Sequence, residues 1–138
     1  MHEILKGKVI LVVDDSATIR TIAADILRAN VVIVREAGSG EQALQAAAEQ
    51  PPVDAFLLDV RLPGMNGIEL CRALRAMDRY AGAPIVFVTA MDQNEVLQWA
   101  LEAGCDDFIQ KPLYPMVLRQ RLGNLLQMAD YRRQLAAR

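Results

Sequence analysis

The chain is short of the residues on which much enzyme chemistry depends. It has one histidine, His2, and two cysteines, Cys71 and Cys105. The thiols have neither CxxC spacing nor a nearby histidine. Zinc sites, disulfide frameworks and Ser-His or Cys-His nucleophiles are therefore excluded, and two reduced thiols fit a cytosolic setting. Aromatics are only 5% of the residues, and no basic stripe carries interleaved aromatics, which argues against a nucleic-acid surface. No run of about 18 apolar residues exists, and the N-terminal MHEILKGKV is too polar for the apolar part of a signal peptide. The expectation is a soluble cytoplasmic protein whose chemistry runs on carboxylates, hydroxyls and amines.

What is present suffices for one compact domain: 138 residues, 53% of them hydrophobic, can bury a real core. The formal net charge of −2 conceals an asymmetry. Residues 119–138 hold five arginines and one aspartate, so an acidic body ends in a basic tail. The simpler reading of that tail is a solvated helix face.

Four short apolar runs rich in Val, Ile and Phe, at 9–13, 31–34, 56–58 and 85–88, and a weaker one at 108–109, predict strands buried on both faces of a parallel sheet. Between them lie apolar residues at helical spacing: Ile19, Ile22, Ala23, Ile26 and Leu27; Ala43, Leu44, Ala47 and Ala48; Ile68, Leu70, Cys71 and Leu74; Val96, Leu97, Ala100 and Leu101; Leu118, Leu122, Leu125 and Ala129. Strand and helix alternating five times predict a doubly wound α/β fold, a single five-stranded parallel sheet with five helices. Asn30 is placed to end the first helix in a left-handed cap.

In open α/β sheets the ligand crevice lies beyond the carboxyl ends of the strands. The first run ends in Asp14 and Asp15, the third in Asp59, the fourth in Thr89 and the fifth in Lys111. Singly, each has a structural explanation: Asp15 or Ser16 caps a helix, Thr89 is a satisfied hydroxyl, Lys111 a solvated amine. Together, three carboxylates at one sheet edge repel one another and call for a cation. Mg²⁺ suits such hard oxygen ligands, and it accepts carboxylates, waters and a phosphoryl oxygen. An aspartate can also act as a nucleophile and form an aspartyl phosphate. Phosphoryl transfer needs alignment and neutralisation of oxygen charge, which a divalent cation, an ammonium and a hydroxyl supply.

The segments VILVVDDS, GSGEQAL, FLLDVRLPGMNGIEL, PIVFVTA and GCDDFIQKP, in this order, resemble the receiver domain of two-component response regulators (CheY-like) over residues 7 to about 127. The resemblance implies a flavodoxin-like strand order 2-1-3-4-5. It implies Asp59 as phosphoacceptor, with Mg²⁺ as cofactor held by Asp14, Asp15, Asp59 and the backbone carbonyl of Arg61. Asp15 is expected to bind the ion directly and Asp14 through water. Thr89 and Lys111 are implied as the groups that contact the phosphoryl oxygens, and Thr89 with Phe108 as the switch pair. Lys111-Pro112 matches a peptide bond that is usually cis in the family. The implied partners are a histidine kinase or histidine phosphotransfer protein and an effector or output domain. A homodimer through the face of the fourth helix, fifth strand and fifth helix is also implied, with no direct nucleic-acid or membrane contact in this segment. Trp99, beside the apolar stripe of the fourth helix, is expected partly exposed on that face, and Cys105 to be a small buried residue.

The resemblance also implies that the chain is not an enzyme in its own right but assists its own phosphoryl transfer and dephosphorylation. Residues 1–127 are expected to form the receiver and 128–138 a helical extension. That extension is either the start of a linker to an output domain or a frayed end. Two other classes remain open: a receiver-like interaction module that takes no phosphate, and a haloacid-dehalogenase-like phosphatase. The latter needs a DxD motif on the first strand, where this chain has Asp14-Asp15-Ser16.

Overall fold

The structure, a computed structural model, describes residues 2–137. Its strands are β1 (Val9–Val13), β2 (Ile33–Ala37), β3 (Ala55–Leu58), β4 (Ile85–Thr89) and β5 (Asp107–Gln110). The helices between and after them are α1 (Ala17–Arg28), α2 (Gly40–Ala48), α3 (Gly67–Arg75), α4 (Gln93–Ala103) and α5 (Pro115–Ala136). The strands form one parallel sheet in the order β2-β1-β3-β4-β5. No helix among the described residues is long and apolar enough to cross a membrane.

Alternation along each strand divides the core in two. Val9, Leu11, Val13, Phe56, Leu58, Ile85, Phe87 and Phe108 face α2, α3 and α4. Ile10, Val12, Ala55, Leu57, Val86, Val88 and Ile109 face α1 and α5. Because both faces are covered, β1, β3 and β4 are buried along their whole length. That is why the continuous apolar runs predicted them well.

β2 is the exception. The run at 31–34 predicts a strand there, but pairing starts at Ile33 and runs to Ala37 through Arg35 and Glu36. As an edge strand it pairs only with β1, so polar side chains are tolerated on it. Val31 instead belongs to the turn that ends α1. The Val32 N–H donates to the Leu27 carbonyl and the Val31 N–H to that of Arg28, the bonding of a Schellman motif. Val31, not the expected Asn30, takes the left-handed conformation, with φ of 62°. Asn30 is buried and its amide donates to the Ile26 carbonyl.

A β-branched residue at positive φ is strained, and Val31 is exposed, so little burial compensates it. Left-handed backbone costs a non-glycine residue about 1–2 kcal/mol, against which glycine loses about 0.5–1 kcal/mol of chain entropy. Val31→Gly is therefore expected to raise stability by about 0.5–1 kcal/mol, read as a higher urea midpoint at unchanged slope. A lower midpoint would refute the strain.

α5 continues without a break past residue 127 to Ala136. Ala129 is buried, and Lys8 pairs with Asp130 at 3.3 Å, so the first turns beyond 127 pack on the body of the domain. Cys71 is buried, but Cys105 is only half-buried, short of the burial expected for it. Burial pushes both thiols up to about 11, which leaves them protonated and unreactive near neutral pH.

Candidate functional site

Parallel strands deliver their carboxyl ends to one edge, and loop chemistry there sets the polar groups in place. β1 ends at Val13; Asp14 follows, buried at 3% exposure, and Asp15 beside it is exposed. Ser16 then caps α1, its Oγ accepting from the Ile19 N–H at 3.3 Å. The open choice between Asp15 and Ser16 as cap thus falls to Ser16. Asp14 takes part in a different bond, its Oδ1 accepting from the Ser16 N–H at 2.9 Å.

Asp59 follows β3, 7% exposed, with its Oδ1 accepting from the Arg61 N–H at 3.1 Å. The loop after it is pinned by the Gly67 N–H donating to the Val60 carbonyl at 2.8 Å. Asn66 caps α3 in a capping box with Glu69. Gly64 takes φ of 69°, which glycine adopts without strain.

Thr89 closes β4 at 1% exposure, and its Oγ1 accepts from the Met91 N–H at 3.3 Å. Lys111 follows β5, its N–H donating to the Thr89 carbonyl at 2.8 Å, and the Lys111-Pro112 bond is cis. Phe108 is 8% exposed and packs in the core with Phe87, Val96 and Ala100. Trp99 is exposed, as expected of it.

Asp14, Asp15 and Asp59 each present a carboxylate oxygen, and these oxygens lie within 4.8 Å of one another. The Lys111 ammonium answers the repulsion, donating to Asp14 Oδ2 at 2.7 Å and Asp59 Oδ2 at 2.9 Å. Among the described residues no buried side-chain nitrogen or oxygen lacks a partner. Burial pushes the Asp14 carboxyl above its usual range, and the bonds from Lys111 and Ser16 offset only part of that. For Lys111 burial acts downward, but the bonds to Asp14 and Asp59 and their charges outweigh it and hold the ammonium above its ordinary value.

The donor set suits Mg²⁺: clustered carboxylate oxygens on a sheet edge, one of them exposed, and an ammonium already acting as countercharge to two of them. The sequence reading missed Arg20. Its Nη1 donates to the Asp14 carbonyl at 2.7 Å and its Nε lies 3.3 Å from Glu36 Oε1. On a helix, Arg20 stands four residues after Ser16 and so one turn above the cap. That spacing was the available signal.

A family model described as response regulator receiver domain matches residues 10–123. The DNA-binding response regulator MtrA of Mycobacterium tuberculosis is 43% identical over 121 residues, covering 88% of this chain and 51% of that protein. The cyclic di-GMP phosphodiesterase response regulator RpfG of Xanthomonas campestris is 39% identical over 124 residues, covering 88% of this chain and 32% of that protein. The chain thus spans about half the length, or less, of these curated relatives.

Among solved structures, a CheY-like receiver domain protein from Methanospirillum hungatei superposes with a TM-score of 0.84 at 28% identity, covering 92% of this chain and 99% of that one. The receiver domain of a sensor histidine kinase from Pseudomonas aeruginosa, solved with a magnesium ion coordinated in its active site cleft, gives 0.81 at 30% identity over 88% and 98%. With the strand order, the acidic edge and these matches in agreement, the chain belongs to the response regulator receiver domain family, the phosphorylation-dependent switches of two-component signalling.

Proposed function

We propose that Asp59 is the phosphoacceptor, loaded in the cytoplasm by a histidine kinase or histidine phosphotransfer protein. The observation that carries this reading is the Lys111 ammonium bridging Asp14 and Asp59 within a cluster of three carboxylates. An Asp59 oxygen attacks the donor's phosphorus, the bond from phosphorus to the donor breaks, and its electron pair leaves with the donor. Mg²⁺, when bound, neutralises charge on the phosphoryl oxygens. Asp15, Asp14, Asp59 and the Arg61 carbonyl are the groups to hold it. Both Asp14 oxygens already accept bonds, from Ser16 and Lys111, whereas Asp15 is exposed, which supports Asp15 as the direct ligand and Asp14 as one acting through water.

Lys111 then pairs with the new phosphoryl oxygens, and the Thr89 hydroxyl turns from the Met91 N–H to donate to them. Phosphorylation adds roughly −1.5 to −2 charge, and charge-assisted bonds of this kind are the strong ones. Movement of Thr89 frees space that couples to Phe108 one strand away, and the change is read on the α4-β5-α5 face. Trp99 and Leu101 on α4, Tyr114 just before α5 and Met116 on α5 are exposed, ready for an effector, an output domain or a second copy of the chain. Residues 1–127 act as the receiver, and the stretch of α5 beyond them, to Ala136, extends it.

Incubation with Mg²⁺ and acetyl phosphate is expected to add the mass of one phosphoryl group to the wild type and none to Asp59→Asn. Mass gain in both variants, or none in either, would refute the assignment. Turnover of arbitrary phosphate esters would instead favour a phosphatase.

A further inference from the structure

Arg20 has the bonding of a bracket. Its guanidinium reaches from α1 to the Asp14 carbonyl at 2.7 Å, and its Nε is held by Glu36 of β2 at 3.3 Å. It lies against Gly38, where an added Cβ would stand 3.3 Å from Nη1. The side chain is largely buried, at 21% exposure. The carbonyl it holds belongs to the peptide unit that joins Asp14 to Asp15. On its other side Asp14 is fixed by its N–H donating to the Ala37 carbonyl at 3.1 Å. The peptide that aims Asp15 is therefore held at its carbonyl by Arg20, and the peptide before it is tied to β2 through the Asp14 N–H. Asp15 itself is exposed, so its carboxylate direction depends on that peptide.

We propose that Arg20 is a positioning residue of the cation site, holding the Asp14-Asp15 peptide so that Asp15 faces the ion, with Glu36 holding Arg20. The inference rests on the Mg²⁺ reading given above. Charge and position have opposite signs here, which makes the role testable. As a cation beside an acidic cluster, Arg20 repels Mg²⁺, so charge alone predicts tighter binding when it is removed. As a bracket it improves the ligand geometry, and loss of such outer supports weakens metal binding by about 10- to 100-fold.

The experiment is calorimetric titration of the unphosphorylated protein with MgCl₂, at a temperature where circular dichroism shows each variant folded. Arg20→Ala is expected to raise the Kd about tenfold. Arg20→Lys, with the charge kept but the two-pronged fork lost, is expected to fall between wild type and alanine. Glu36→Gln keeps Arg20 and its fold contacts while loosening its hold, and is expected to weaken binding by a few-fold. Unchanged or tighter binding in Arg20→Ala overturns the bracket, as does unchanged binding in Glu36→Gln should the alanine variant not fold. Absence of Mg²⁺ binding by the wild type removes the cation reading itself, and this inference with it.

Discussion

Replacing Gly67 by alanine is expected to disable the domain at both the structural and the chemical level. A Cβ at this position would stand 2.0 Å from the Asp59 carbonyl oxygen and 2.9 Å from the Asp59 carbonyl carbon and Val60 Cα. All three atoms are backbone, so no side chain can swing away. Gly67 has no unusual φ; what demands glycine is the close approach of the first turn of α3 to the strand end, sealed by its N–H bond to Val60 at 2.8 Å. Relief requires the loop after β3 to move, and that loop carries Asp59. Overpacking with backbone displacement costs about 3 kcal/mol or more, a fall in Tm on the order of 10 °C for a domain of this size. Loss of acceptor geometry is expected to cut acetyl phosphate labelling about 100-fold even where the variant is folded, since misplacement by about 1 Å is enough. Thermal melts and labelling on the same sample check both. Wild-type Tm and labelling would show that the loop has enough slack to take up the added methyl group.

Burial and chain separation decide how much of this fold is legible in the sequence. Buried strands announce themselves because both faces are apolar, and the polar residues at their ends, Asp14, Asp15, Asp59, Thr89 and Lys111, are legible by position alone. The apolar run misplaces β2 because an edge strand need not be apolar; Arg35 and Glu36 hide it while Val31 and Val32 mimic it. Bonds from side chains to distant carbonyls were invisible for a different reason. Arg75 donates to the carbonyls of Gly104, Tyr80, Ala81 and Ala83 and pairs with Asp106, tying together elements far apart in the chain. In the sequence it is one more arginine near a helix end. Arg20 escaped in the same way: a basic residue on a helix reads as solvated until the fold shows what it holds.

Lys111→Met is expected to lower stability by an amount that depends on pH and metal, because the ammonium bridges the two buried carboxylates. Removing one partner of a buried pair leaves the others uncompensated, at about 3–5 kcal/mol for full burial; with the lysine side chain 16% exposed, a loss of about 2 kcal/mol at pH 7 without metal is expected. The folded pKa of Lys111 is raised, so its contribution is complete below about 10.5 and fades as pH climbs through the higher folded value. Asp14 is also raised, which means the folded state binds more protons than the unfolded one just above the ordinary carboxylate range. There stability falls as pH rises. The deficit of the variant should therefore shrink on the acid side, as Asp14 takes up a proton and no longer needs the ammonium, and again at strongly alkaline pH, where the wild type loses the same pair. Mg²⁺ should also narrow it, since a divalent ion can replace the missing countercharge, stabilising the variant more than the wild type by mass action. Urea unfolding across pH, in EDTA and in MgCl₂, measures all of this. A variant as stable as wild type at pH 7 in EDTA would mean that Lys111 does not hold the acidic edge together.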